Sequence, residues 1–125
     1  MIQVKRTYEE AGKKDGARFL VERLWPRGVK KEDLPLENWV KDVAPSGDLR
    51  RWFQHDPAKW AEFRRRYFRE LEEHPDAWRA LLARARRGRV TLVYSAHDTK
   101  YNNAVALKSF LDKKMRRKGM VPKAA

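Results

Sequence analysis

The chain has 125 residues, which is enough for one domain with its own core, and 30 lysines and arginines against 17 acidic residues give a net charge of +13. It contains no cysteine, which excludes disulfides, cysteine nucleophiles and thiolate metal sites. The positive charge fits either a polyanion-binding protein or simply a highly charged soluble surface.

The N-terminal part predicts two strands. Ile2–Arg6 alternates apolar and polar residues, as a first strand does. The polar connection Glu9–Gly16 is too short to show whether the second strand runs parallel or antiparallel to the first. Arg18–Arg23 contains a continuous apolar run, which is typical of a strand buried on both faces. Pro26 then ends the strand, and Gly28 permits a tight turn.

The middle of the chain predicts helices. A short amphipathic helix is indicated by four apolar residues at helical spacing, namely Leu36, Trp39, Val40 and Val43. Ser46 is placed to cap a second helix that runs through Phe53. Asp56 and Pro57 are typical of the start of a longer helix. The apolar stripe of that helix consists of Trp60, Phe63, Tyr67 and Leu71.

The C-terminal part predicts one more buried strand, Arg89–Ser95, and a helix from about Asn102 to Arg117. Strands with interposed helices indicate an α/β fold, here a small, mostly parallel sheet of 3–4 strands flanked by helices. We predict a single domain over residues 1–118 and a flexible basic tail over residues 119–125.

Two loops are expected to meet at one edge of this sheet. Parallel strands end at the same edge, so the loop Arg23–Gly28 should lie beside the loop Ser95–Asn103. Open α/β sheets bind their ligands at this edge. The sequence therefore predicts a site for an anionic small molecule or nucleotide between the two loops.

The candidate ligand-binding residues belong to these loops. Arg23 and Arg27 carry guanidinium groups that suit phosphate or carboxylate, or they pair with nearby acidic residues and fix the loop. Trp25 is a candidate for stacking on a ring, with core packing as the alternative. The second loop contributes Ser95, Asn102 and Asn103, and Tyr94, which directly precedes it, is a further candidate.

His55 and Asp98 are the candidate acid–base residues, because histidine titrates near neutral pH and Asp98 lies in the second loop. Such residues would fit a small hydrolase or transferase. Ser95 is a weaker nucleophile candidate, since no G-x-S-x-G motif surrounds it. The three histidines lack the spacing of metal ligands, so we predict neither a metal nor another cofactor.

A basic helical face provides an alternative function. This face comprises Arg64, Arg65, Arg66 and Arg69. It suggests a nucleic-acid-associated binding module, although the sequence shows no recognised nucleic-acid-binding motif. A non-catalytic interaction protein is a further alternative. The sequence lacks a membrane-spanning run and the apolar core of a signal peptide, which predicts a cytoplasmic protein with no membrane partner, and it leaves the oligomeric state open.

Four sequence blocks resemble the YeaO-like family, a domain of unknown function with the number 488. They are L-V-E-R-L-W-P-R-G (20–28), A-P-S (44–46), W-F-Q-H-D-P (52–57) and V-Y-S-A followed by N-N-A-V (93–105). The resemblance extends from Ile2 to about Leu111 and implies a small α/β domain with a mostly parallel sheet, without an established activity.

The family resemblance also bears on the second loop. Longer relatives carry a cysteine or histidine after the last core strand, in a layout similar to rhodanese-like domains. In this chain the loop has no cysteine, and Tyr101 stands where close relatives often have histidine. Sulfur transfer through a cysteine persulfide is therefore excluded.

Overall fold

The computed structural model describes the backbone of residues 1–124 and the side chains of residues 1–116. The flexible tail predicted for residues 119–125 lies beyond the described side chains and stays a prediction.

A four-stranded parallel sheet forms the centre of the fold. Its strands are β1 (Ile2–Arg6), β2 (Ala17–Leu20), β3 (Asn38–Trp39) and β4 (Val90–Tyr94), in the order β1-β4-β2-β3. This confirms the predicted α/β class and shows that the first strand runs parallel to the others. Every residue of the two central strands, β2 and β4, is buried, as their continuous apolar runs predicted.

The helices pack on one face of the sheet. They are α1 (Gly47–Phe53), α2 (Trp60–Glu73), α3 (Arg79–Arg87) and α4 (Asn103–Ala124). The main core joins helical side chains such as Tyr67 and Leu107 to strand side chains such as Phe19 and Leu92. None of the helices in the described part of the chain is long and apolar enough to cross a membrane.

The connection between β2 and β3 covers the other face of the sheet. Leu20, Leu34 and Val93 form a small second core there. Four partly buried side chains of the connection and of β3 pack against it, namely Trp25, Val29, Leu36 and Trp39. The loop that contains the W-P-R-G block is therefore held against the sheet by its own apolar side chains.

The amphipathic helix predicted from Leu36 to Val43 is wrong. This segment forms the edge strand β3 and a 3₁₀ helix, Lys41–Val43. The backbone N–H of Val40 donates to Leu20 O at 2.8 Å, so the segment extends the sheet. The apolar residues divide between the two faces, with Trp39 in the small core and Val43 in the main core. The helical spacing of these residues therefore does not mark one face of a helix.

The predicted caps and turns agree better with the structure. Ser46 Oγ accepts a hydrogen bond from Leu49 N at 3.2 Å and caps α1. Asp56 Oδ1 accepts from Ala58 N at 3.0 Å, in a 3₁₀ turn that leads into α2. Gly28 has a φ of +76°, which confirms its role in the turn after Pro26. Strand β2 ends at Leu20, three residues before the predicted end at Arg23.

Candidate functional site

A cleft of about 320 Å³ opens at the carboxyl ends of the two central strands. Glu22 and Arg23, which follow β2, and Ser95 and Ala96, which follow β4, line it. The rest of the lining comes from the segment before α1, from α1 and α2, and from the start of α4: Ala44, Pro45, Gly47, Arg50, Arg51, Phe53, His55, Phe63 and Asn103. The cleft therefore lies where open α/β sheets bind ligands.

Three arginines give one side of the cleft its positive charge. Arg23 Nε donates to Pro45 O at 3.3 Å, and a terminal nitrogen of the same guanidinium donates to Ala44 O at 3.4 Å. The exposed guanidinium therefore lies close to the segment that precedes α1. Arg51 pairs with Asp48. Among the described side chains, neither Arg23 nor Arg50 forms a salt bridge with a carboxylate.

A network of hydrogen bonds fixes the opposite side. Glu22 Oε1 accepts from Ser95 N at 2.8 Å and from Ser95 Oγ at 3.2 Å, which joins the ends of β2 and β4. Asn103 Nδ2 donates to Val21 O at 2.8 Å and ties the start of α4 to the same place. These bonds hold the polar groups of this side in defined positions.

His55 lies at the rim of the cleft in a strained backbone conformation. It has a φ of +55° and follows Gln54, whose φ is +49°. The left-handed region is uncommon for residues other than glycine, and two such residues in succession cost of the order of 1–3 kcal/mol each. His55 Nδ1 lies 3.4 Å from Tyr101 O. The conformation thus holds the imidazole between α1 and the loop after β4.

The floor of the cleft is aromatic. Phe53 stacks on Phe63 with ring centroids 4.2 Å apart, and both line the cleft. Tyr67 lies behind them, fully buried, and donates its hydroxyl to Val43 O at 2.6 Å. Burial raises the pKa of Tyr67 well above its ordinary value, and the nearby Glu70 carboxylate adds to this effect, so the phenol stays neutral.

Two predicted residues of the first loop lie outside the cleft lining. Trp25 Nε1 donates to Val29 O at 2.6 Å, and its ring makes an edge contact with Trp39 at 5.5 Å. Arg27 is exposed, and its carbonyl oxygen accepts from the hydroxyl of Tyr8 at 3.3 Å. Neither arginine of this loop, Arg23 or Arg27, is locked in an ion pair within the described part of the chain.

Three predicted residues, at the end of β4 and in the second loop, have structural contacts of their own. Tyr94 is buried in the main core, and burial together with the Glu9 carboxylate raises the pKa of its hydroxyl. Asn102 is fully buried, donates to Asp98 O and accepts from Val105 N, which caps α4. Asp98 accepts from the backbone N–H groups of Tyr101 and Lys100, which lower the pKa of its carboxyl. None of these three residues lines the cleft.

Most arginines of the basic face on α2 make contacts within the protein. Arg64 donates to Ser109 Oγ at 2.9 Å, and Arg65 and Arg66 both pair with Glu62. The guanidinium of Arg66 also lies 4.4 Å from the centre of the Trp52 ring. Arg69 is exposed. A polyanion on this face would have to compete with those contacts.

Three charged residues of the lining were not among the candidates predicted from the sequence: Arg50 and Arg51, which lie in α1, and Glu22. The order of the sequence blocks could have indicated the two arginines. The A-P-S block caps a helix that directly follows an edge strand, and this helix must therefore begin near the edge of the sheet. Because the segment 36–43 was predicted as a helix, the position of α1 relative to the sheet could not be inferred.

Comparison with known proteins identifies the family. Residues 1–124 match the model of a family described as the inactive DUF488-N3 subclade. The chain is 44% identical over 110 residues to the uncharacterized protein YeaO of Escherichia coli, covering 88% of this chain and 96% of that protein. It is 46% identical over 72 residues to the uncharacterized protein Rv3073c of Mycobacterium tuberculosis, covering 58% of this chain and 61% of that protein.

No solved structure gives a significant match. The family model and the Escherichia coli relative both extend over most of the chain, and they agree with the four sequence blocks that suggested the family. The chain therefore belongs to the YeaO-like DUF488 family, within the subclade described as inactive.

Proposed function

We propose that this protein binds a small anionic ligand, such as a phosphate-bearing compound, in the cleft between α1 and the ends of β2 and β4, and that it does so without catalysis. One observation carries the proposal: Arg23 and Arg50 line the cleft, and neither is neutralised by a carboxylate among the described side chains.

The charge of the lining favours an anion. Three arginines line the cleft together with a single carboxylate, that of Glu22, and one oxygen of this carboxylate already accepts two hydrogen bonds from Ser95. Guanidinium groups bind phosphate and carboxylate through paired, charge-assisted hydrogen bonds. The long bonds from Arg23 to two carbonyl oxygens are of the kind that an anion can displace.

The contacts of Ser95 and Asp98 favour binding over catalysis by these two residues. The nearest described partner of the Ser95 hydroxyl is Glu22, whereas a serine nucleophile normally needs a histidine within hydrogen-bonding distance. Asp98 is a carboxylate held in a turn, and the lowered pKa makes it a poor general acid at neutral pH. The description of the subclade as inactive agrees with this interpretation.

Arg50→Ala should weaken the binding of inorganic phosphate about tenfold, because it removes a charged hydrogen-bond donor from the cleft. The affinity is measured by isothermal titration calorimetry at low salt. Arg69→Ala is the matched control, since it removes the same charge from an exposed position on α2. The proposal fails if the wild-type protein binds neither phosphate nor sulfate, or if both variants bind equally well.

A further inference from the structure

The lining of the cleft places arginine donors on one side and two free side-chain oxygen acceptors on the other. Arg23 and Arg50 supply donors on the side of α1. On the side of β4 and α4, the Ser95 N–H and hydroxyl donate to Glu22, and one N–H of the Asn103 amide donates to Val21 O. Side-chain oxygens of Glu22 and Asn103 remain on that side as acceptors.

Two acceptor atoms remain for a ligand. Glu22 uses Oε1 for both bonds from Ser95, and Oε2 has no hydrogen-bond partner among the described side chains and backbone. The orientation of the Asn103 amide is fixed because its partner, the carbonyl of Val21, can only accept. The nitrogen must therefore face Val21, and Oδ1 is left without a partner in the described residues.

The two sides together define the ligand. We infer, on the basis of the binding function proposed above, that the cleft takes a phosphate monoester that carries neighbouring hydroxyl groups, as sugar phosphates and nucleoside monophosphates do. The phosphate lies against Arg23 and Arg50, and the hydroxyls donate to Glu22 Oε2 and Asn103 Oδ1. A carboxylate that receives the hydroxyls of a ribose is a common arrangement at the strand ends of nucleotide-binding α/β folds.

Hydroxyls fit the acceptor side better than an ammonium group does. A hydroxyl both donates and accepts, so it can donate to Glu22 Oε2 or Asn103 Oδ1 and also accept from the second N–H of the Asn103 amide, whereas an ammonium can only donate. The three arginines of the lining also disfavour a ligand with a positive charge.

The size and floor of the cleft set the scale of the ligand. A volume of about 320 Å³ is at the lower end of small-molecule sites, which run from roughly 300 to 1,000 Å³. This suits a sugar phosphate or a mononucleotide and is small for a dinucleotide. The stacked rings of Phe53 and Phe63 provide an apolar surface for the carbon skeleton of the ligand.

The test compares methyl phosphate, ribose 5-phosphate and adenosine 5′-monophosphate by isothermal titration calorimetry with the full-length protein. Ribose 5-phosphate should bind about tenfold more tightly than methyl phosphate, because its hydroxyls reach a carboxylate. In Glu22→Gln this preference should fall to about twofold or less, while methyl phosphate should bind at least as tightly as it does to the wild type, because the variant removes a negative charge from the cleft. The glutamine keeps an oxygen that can accept from Ser95 N, so the fold should be preserved.

A second variant and the choice of ligand complete the test. Asn103→Ala should also reduce the preference for ribose 5-phosphate over methyl phosphate, with thermal unfolding as the check that the variant is folded. Binding of the adenosine compound at least as tight as that of ribose 5-phosphate supports a mononucleotide, and weaker binding supports a sugar phosphate. Equal affinities for methyl phosphate and ribose 5-phosphate overturn this inference but not the proposed function, whereas no phosphate binding at all overturns both.

Discussion

Replacing Gly16 with alanine should destabilise the fold by about 4 kcal/mol, a loss at the upper end of what single substitutions cause. Gly16 immediately precedes β2 and has a φ of +65°. A Cβ atom built on it would lie 2.3 Å from the carbonyl oxygen of Arg89, a distance far below van der Waals contact. The substitution therefore combines an unfavourable backbone conformation with a collision.

The collision cannot be relieved by moving a flexible side chain, because the atom in the way belongs to the backbone. The same Arg89 carbonyl accepts a hydrogen bond from Ala17 N at 3.0 Å, which starts the pairing of β2 with β4. Separating the two chains would weaken the ladder between the two central strands. Gly16 thus allows the two backbones to lie close together where the pairing of β2 with β4 begins.

Gly28→Ala is the matched control. Gly28 has a similar φ of +76°, but no atom lies within 4 Å of a Cβ built on it. Only the backbone penalty applies there, which is about 1–2 kcal/mol. Urea unfolding followed by circular dichroism measures both variants. Similar losses of stability in the two variants would show that the contact with Arg89 contributes nothing.

The parts of the fold that the sequence predicted correctly are those in which one local pattern has one physical solution. The apolar runs at 19–21 and 90–94 are compatible only with burial, and both lie in or directly beside the two central strands. The helix α1 was predicted from Ser46 and from the pattern of polar and apolar residues after it, because a capping residue specifies where a helix begins. The same logic failed at 36–43, where residues at helical spacing pack on opposite sides of a sheet edge.

The candidate site was predicted in part for a related reason. Residues that follow a strand can be placed at the sheet edge from the sequence, and Arg23, Ser95 and Asn103 do line the cleft there. Which of two nearby side chains turns into the cleft depends on packing that the sequence does not show. Trp25 and Arg27 lie outside it because the loop folds back over the small core. Arg50 lines it because α1 lies against the same edge.

A buried ion network at the other end of the sheet provides the second large expected effect. Asp15 and Arg18 are 5% and 6% exposed, and the two side chains form a salt bridge. Asp15 also receives a hydrogen bond from Gly12 N at 3.0 Å and one from Lys5 Nζ at 3.3 Å. Arg18 Nε donates to Pro35 O at 2.9 Å. The network therefore ties the loop before β2 to three other parts of the chain.

Asp15→Asn should cost about 3 kcal/mol in the free energy of unfolding near neutral pH. The asparagine is nearly isosteric, but it leaves the buried guanidinium of Arg18 without a counter-charge, and breaking one side of a buried ion pair typically costs 3–5 kcal/mol. The matched control is Asp76→Asn, which removes an aspartate that is 96% exposed and pairs with Arg79 across the surface. That variant should be as stable as the wild type.

The pH dependence gives this prediction a second, independent readout. Burial alone would raise the pKa of Asp15, but the hydrogen bonds from Gly12, Arg18 and Lys5 outweigh it and lower the pKa below the ordinary value of 3.8. The folded state therefore binds the proton more weakly than the unfolded state, and the stabilisation is fully present above that ordinary pKa. It is lost as the pH falls through the lower pKa of the folded state. Urea unfolding of the wild type and of Asp15→Asn should be measured from about pH 7 to about pH 2.5, and their difference in stability should shrink only at the acidic end. A difference that stays constant over the whole range would mean that the charge of Asp15 does not stabilise the loop.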